Sequence, residues 1–163
     1  MPAPMTRTVT VDIDLEDPAH SDVRQLIAAL DRYLTDLYPP QQCYLLDVEA
    51  LRARDVAFFV ARRDGVAIGC GALVNVAPGV GEIKRMYVAP QARGLGVGRR
   101  LLERLERHAR LLGLREVKLE TGNAQPEALG LYRSAGYVEC GPFGAYRRGA
   151  TNLFFVKRFG SGA

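Results

Sequence analysis

The run Arg93-Gly94-Leu95-Gly96-Val97-Gly98-Arg99-Arg100 restricts this chain more than any other stretch. Its three alternating glycines stand between an apolar, alternating segment, Ile83 to Val88, and a segment from Arg99 to Leu112 whose apolar residues recur at helical spacing. That order predicts a strand, a glycine-rich turn and a helix. Such a turn brings successive backbone N–H groups up to a phosphate without interference from Cβ, and the helix start adds a partial positive charge. The candidate ligand is a pyrophosphate.

The flanking segments predict the rest of the fold. Thr6 to Leu15 alternates Val9, Val11, Ile13 and Leu15 with polar residues, the pattern of a strand with one buried face. After His20-Ser21-Asp22, the residues Val23, Leu26, Ile27, Leu30, Tyr33, Leu34 and Leu37 make a helical stripe that Pro39-Pro40 stops. Asp47 can cap a short helix reaching Leu51. Val56 to Val60 and Val66 to Val76 flank the turn Arg63-Asp64-Gly65 as a hairpin, and Glu82 to Val88 follows as the third consecutive strand. The helix after the glycine run places Leu101, Leu105, Ala109 and Leu112 on one stripe, with Leu102 beside it and Gly113 as C-cap. Arg115 to Thr121 reads as a strand, Pro126 to Ser134 as a helix, Tyr137 to Cys140 as extended chain and Asn152 to Phe159 as a closing strand.

Adjacent early strands followed by strands alternating with helices predict an α+β fold, a mixed sheet with helices packed on it. Three strands ahead of the glycine run argue against a dinucleotide βαβ fold, whose glycine turn comes near its start. The absence of a Gly-Lys-Ser/Thr ending argues against a nucleoside triphosphatase loop.

At 163 residues one domain is expected, spanning 1–163 with residues 6–159 as its ordered core. No apolar run approaches the roughly 18 residues that cross a bilayer, and the N-terminus lacks a signal pattern, so a cytoplasmic location without membrane contact is expected. Cys43, Cys70 and Cys140 are odd in number and far apart, with His20 and His108 the only histidines, so neither a disulfide framework nor a metal site is expected. The net charge of +4 is concentrated at Arg93 to Arg110 and Arg147 to Arg158. That is either a solvated basic face or an attraction for an anionic ligand. No nucleic-acid motif accompanies it, and no nucleic-acid partner is expected.

Two blocks together narrow the class: Met86-Tyr87-Val88-Ala89-Pro90-Gln91-Ala92-Arg93-Gly94-Leu95-Gly96-Val97-Gly98 and, one strand later, Ala128-Leu129-Gly130-Leu131-Tyr132-Arg133-Ser134-Ala135-Gly136-Tyr137. In this order they resemble the pyrophosphate motif and the Leu-Tyr-x-x-x-Gly-Phe/Tyr motif of the GNAT superfamily of acyl-CoA-dependent N-acetyltransferases. The resemblance implies a central, mostly antiparallel sheet of six to seven strands with helices on both faces, acetyl-CoA as co-substrate and no metal. It implies that Met86 and Val88 lie on a splayed strand that pairs with the acetyl-pantetheine arm. Arg93, Gly94, Leu95, Gly96, Val97 and Gly98 would hold the pyrophosphate, with Arg99 or Arg100 as counter-charge; the alternative for either arginine is ordinary helix-surface charge. Tyr132 would protonate the departing thiolate; the alternative is a packing aromatic. Asn123 corresponds to a cofactor-contacting asparagine, but it precedes Tyr132 by nine positions instead of the family's commoner seven, with Gln125-Pro126 as the apparent insertion.

Acetyl transfer requires an amine to lose a proton and attack a thioester. Glu82 opens the strand that carries Met86 and Val88 and is the candidate base; the alternative is a strand residue paired with Lys84, and Glu120 is the reserve. The resemblance makes the Val88 N–H the oxyanion donor. Cys70 and Cys140 read as core residues, so direct attack in a ternary complex is expected. The acceptor pocket is expected from Tyr33 to Tyr44 and from the loop Gly141 to Arg148, with Tyr38, Tyr44, Phe143 and Tyr146 lining it and Arg147, Arg148 or Arg62 binding a carboxylate; each also reads as packing or solvated. The expected acceptor is the primary amine of a small molecule such as an amino acid. A non-catalytic acyl-CoA sensor and an acetyltransferase acting on a protein amine are the alternatives. Asn152 to Phe159, read as an exposed terminal strand, could support a homodimer.

Overall fold

A computed structural model of the chain describes residues 10–43 and 46–160. Residues 6–9 of the expected first strand, Tyr44 and residues 161–163 of the expected tail lie outside the described residues. The strands are β1 (Val11–Leu15), β2 (Val56–Arg63), β3 (Val66–Ala77), β4 (Val80–Val88), β5 (Glu116–Gly122), β6 (Val138–Cys140) and β7 (Asn152–Arg158). The helices are α1 (Ser21–Leu37), α2 (Val48–Leu51), α3 (Val97–Leu111) and α4 (Pro126–Ser134). The strands form one seven-stranded sheet in the order β1-β2-β3-β4-β5-β7-β6. All neighbours are antiparallel except β4 and β5. The α+β reading and the mixed, mostly antiparallel sheet of seven strands are observed. No helix among the described residues is long and apolar enough to cross a membrane.

Local sequence explains the elements. Asp64 and Gly65 take φ of 49° and 80°, the pair of left-handed residues that joins β2 to β3 in a tight hairpin. The Asp47 carboxylate accepts from the Ala50 N–H at 2.8 Å and caps α2. Period-two alternation sends Phe59, Leu73, Ile83, Val117, Leu119 and Phe155 to the face covered by α3 and α4. Phe58, Val60, Cys70 and Ala72 face α1 and α2, where Val23, Leu26, Ile27 and Leu30 supply the apolar stripe. Helices therefore cover both faces.

The parallel pair is short. β4 and β5 pair only from Val80↔Glu116 to Ile83↔Leu119. Beyond that point β4 stays with β3 across a register shift between Cys70 and Ala72, while β5 stays with β7 as far as Gly122↔Asn152. The two strands part, and the opening between them is the main irregularity of the sheet. At the bulge Arg85 has φ 59°, a left-handed conformation that costs a non-glycine residue about 1 kcal/mol or more. Gly71 sits opposite; a Cβ there would come within 2.7 Å of the Met86 sulfur.

Two expectations change, and one buried charge is new. α3 begins at Val97 and ends at Leu111, so Leu112 is 53% exposed; Gly113 turns the chain at φ 76° and Leu114 fills the core instead. Glu106 is buried beside the stripe, where its carboxylate pairs with the Lys157 ammonium at 2.8 Å and accepts from the Tyr137 hydroxyl at 3.2 Å. β7 is not an exposed terminal strand. It inserts between β5 and β6, which makes β1 and β6 the edges, and Phe154, Phe155 and Val156 are buried. β6 pairs with β7 at Phe154, Phe155 and Val156, so that stretch offers no free edge to a second copy.

The register of α3 can be checked by urea unfolding. Leu105→Ala should lose about 2–5 kcal/mol because it empties a fully buried position. Leu112→Ala should stay within about 0.5 kcal/mol. The reverse ranking would overturn the assigned register.

Candidate functional site

The glycine run forms one wall of a groove. Gly94 and Gly96 have φ of 83° and 76°, and a Cβ at either would meet nothing within 4 Å, so backbone conformation and not space selects glycine there. Gly96 is the N-cap of α3; no side chain caps the helix and no acidic residue stands in its first turn. The first N–H groups of an α-helix lack intrahelical partners, and here they carry their partial positive charge uncompensated. Val88, Arg93, Gly94, Gly96, Val97, Gly98 and Arg99 line this side of a cavity of about 500 Å³, with Ala128, Leu131 and Tyr132 of α4 opposite. Such a donor set fits a pyrophosphate.

The arginines divide. Arg93 Nε donates to the Val88 carbonyl at 3.2 Å, and its guanidinium lies 5.5 Å from the Tyr33 ring centre. Arg99 lines the groove while donating to Ser134 Oγ at 2.7 Å, which ties α3 to α4. Arg100 donates to the Val11 carbonyl at 2.9 Å and lines no part of the groove, so it anchors α3 to β1. Leu95 is 52% exposed and also lies outside the lining.

A second, smaller cavity of about 110 Å³ fills the opening between β4 and β5. Lys84, Arg85, Met86, Glu120, Tyr38 and Tyr146 are on its wall. Leu30, Met86, Gln125, Ala128 and Tyr132 belong to both cavities, which therefore meet. The Tyr38 hydroxyl accepts from the Ala124 N–H at 3.1 Å and donates to Gln125 Oε1 at 3.2 Å, holding the start of α4 against the end of β5. Gly122 makes room for it, since a Cβ there would overlap the Tyr38 side chain.

Charge is concentrated where the strands part. Glu82 is buried; its carboxylate accepts from the Tyr146 hydroxyl at 3.1 and 3.0 Å and lies 3.8 Å from Lys84 Nζ, which donates to the same hydroxyl. Burial raises its pKa, opposed by Lys84 and the Tyr146 hydrogen bond. Glu120 lies on the same face of the sheet, two residues along from Lys118, the partner of Glu82. Its pKa rises to about 7, first through burial and then through the charge of Glu82, with Lys84 opposing. Glu120 lines the smaller cavity and Glu82 does not. The buried Tyr132 phenol is pushed above its usual pKa by desolvation and stays protonated at neutral pH.

Other expected residues lie apart from the cavities. Asn123 lines neither; its N–H donates to the Thr151 carbonyl at 2.7 Å and ties β5 to the segment before β7. Phe143 packs edge-on against Tyr146 and Phe154, with ring centres 5.1 and 5.7 Å apart, and supports the wall from behind. Arg62 is engaged by Glu16 at 2.8 Å and Asp22 at 2.6 Å, while Arg147 and Arg148 are exposed. Cys70 is core, its thiol donating to the Arg85 carbonyl at 3.2 Å and pushed up to about 12 by burial. Sequence reasoning missed Arg85 and Gln125 as lining residues. The bulge had no signal in the alternation of β4, whereas the insertion at Gln125-Pro126 was a visible sign that this loop differs.

Comparison with known proteins identifies the family. Residues 23–137 match the profile of the Acetyltransferase (GNAT) family. The chain is 49% identical over 148 residues to the IAA acetyltransferase of Azospirillum brasilense, covering 90% of this chain and 97% of that one. A Klebsiella pneumoniae protein assigned as an acyl-CoA N-acyltransferase superposes with a TM-score of 0.76 at 33% identity, over 93% of this chain and 97% of that one. An N-acetyltransferase of Thermoplasma acidophilum solved in complex with coenzyme A shares the fold, with a TM-score of 0.70 at 17% identity over 92% and 99% of the two chains. With a family profile over most of its length and close relatives covered nearly end to end, the chain belongs to the GNAT family of acetyltransferases.

Proposed function

We propose that this protein transfers the acetyl group of acetyl-CoA to the primary amine of a small molecule, by direct attack within a ternary complex. The observation that carries this reading is the meeting of the groove and the smaller cavity at Met86 and Tyr132. The size of the smaller cavity, and the name of the Azospirillum brasilense relative, an IAA acetyltransferase, support a small acceptor.

Acetyl-CoA, when bound, supplies an acetyl thioester. The N–H groups at the start of α3 hold its pyrophosphate, with Arg93 and Arg99 at the rim, and Met86 and Val88 present backbone to the arm. We assign the base to Glu120 in place of Glu82, because Glu120 faces the cavity and its pKa is matched to neutral pH. Glu82, held by Lys84 and Tyr146, tunes it. As the new N–C bond forms and the C–S bond breaks, Glu120 accepts the proton lost by the amine and Tyr132 gives one to the departing sulfur. Exchange of one proton with solvent at each residue restores the enzyme.

A raised carboxylate pKa keeps the base protonated and inactive below that value. The rate should therefore climb with pH through a limb centred near 7. In a thiol-release assay over a panel of amines, Glu120→Gln should lower kcat/KM by roughly 10²–10⁴-fold and remove that limb. Glu82→Gln should move the limb to lower pH by removing a like charge. A Glu120→Gln variant with the parent rate would refute the assignment.

The glycine run has its own test. Gly96→Ala strains a left-handed residue at the helix start and should weaken CoA binding roughly tenfold, read as a smaller CoA-induced rise in Tm. Gly113→Ala, at the same φ of 76° but at the far end of α3, should lose similar stability and bind CoA normally. Equal CoA binding in both variants would remove the glycine run from the cofactor site.

A further inference from the structure

Arg85 is a buried cation with donors to spare. Its side chain is 3% exposed, and it lines the cavity between β4 and β5. Nη2 stands 2.6 Å from Asp31 Oδ1, an ion pair with a carboxylate that is itself 42% exposed. Among the described residues, Nε and Nη1 are buried with no hydrogen-bond partner. A guanidinium does not neutralise by losing its proton, so its unpaired donors call for an acceptor that the described residues do not supply. The left-handed backbone at Arg85 points the same way, since strain of this kind persists where a side chain has to be aimed.

The neighbouring charges leave this acceptor unfilled. Glu82 is occupied by Tyr146 and Lys84, and Asp31 takes a single nitrogen. Glu120 lines the same cavity and, among the described residues, forms no ion pair. The cavity thus offers one open cation and one open carboxylate within a space suited to a small molecule, a pattern complementary to a zwitterion. We infer that Arg85 binds a carboxylate of the acceptor, so that the substrate is a small amino acid whose acid group meets Arg85 and whose amine faces Glu120. The three arginines that the sequence suggested for this task, Arg62, Arg147 and Arg148, line neither cavity.

This inference rests on the proposed acetyl transfer, and the test separates the two. Free amino acids are compared with their own primary amides, which keep the amine and side chain and lose only the acid. Thiol release is measured with acetyl-CoA, and binding is measured by thermal shift on the CoA-loaded protein. The parent should favour acids over amides by at least roughly tenfold in kcat/KM, mainly through KM, as expected for a desolvated charge pair. Arg85→Gln should reduce that ratio to within about twofold while keeping its CoA-induced rise in Tm, and Arg85→Lys should restore part of it. Asp31→Asn, which frees the third nitrogen, should widen the preference; this variant serves where Arg85→Gln fails to fold. Equal use of acids and amides by the parent, or an unchanged ratio in Arg85→Gln or Asp31→Asn, overturns the inference while leaving acetyl transfer standing. Acid-selective binding without thiol release sinks the acetyl-transfer reading alone. No turnover and no binding across the panel sinks the amino-acid substrate.

Discussion

The parting of β4 from β5 after Ile83↔Leu119 is the constraint on which the other features depend. Two parallel strands that stayed paired would seal the centre of the sheet. Because β4 follows β3 across a bulge while β5 follows β7, the interior of the sheet opens between them, and each wall of the opening is backbone held firmly on its other side. The opening is therefore framed by paired strands, and Cys43, Gln125, Tyr146 and Thr151 from connecting segments complete its wall.

The same opening places unlike groups at short range. Lys84 and Arg85 come from β4, Glu120 from β5, and Tyr132 from the helix that closes the far side. Burial raises both carboxylates and Lys84 opposes it at both; what distinguishes Glu120 from Glu82 is that Glu82 also accepts from Tyr146, whereas Glu120 also feels the charge of Glu82. A carboxylate with a pKa of about 7 then arises from position and needs no specialised residue.

Much of this was legible in the sequence, for identifiable reasons. Gly94 and Gly96 were readable because a left-handed turn at a helix start leaves few alternatives to glycine. Tyr132 was readable because its neighbours form a motif with a fixed place in the fold. Features set by long-range pairing were not. The insertion of β7 between β5 and β6 follows from where the chain returns, and its apolar run reads equally well at an edge. Arg85 escaped because simple alternation along β4 puts it on the opposite face from Lys84, whereas the bulge turns it toward Asp31 of α1. Leu112 was misplaced by a helix end that differed by one residue.

The proposed transfer requires groove and cavity to be two halves of one site joined at Met86 and Tyr132. A crystal structure of the protein with CoA tests it most directly. The pyrophosphate should lie on the N-terminus of α3, between Gly94 and Arg99, and the thiol beside Tyr132 at the mouth of the smaller cavity. A pyrophosphate bound elsewhere, or a thiol directed away from Tyr132 and the opening between β4 and β5, would contradict it.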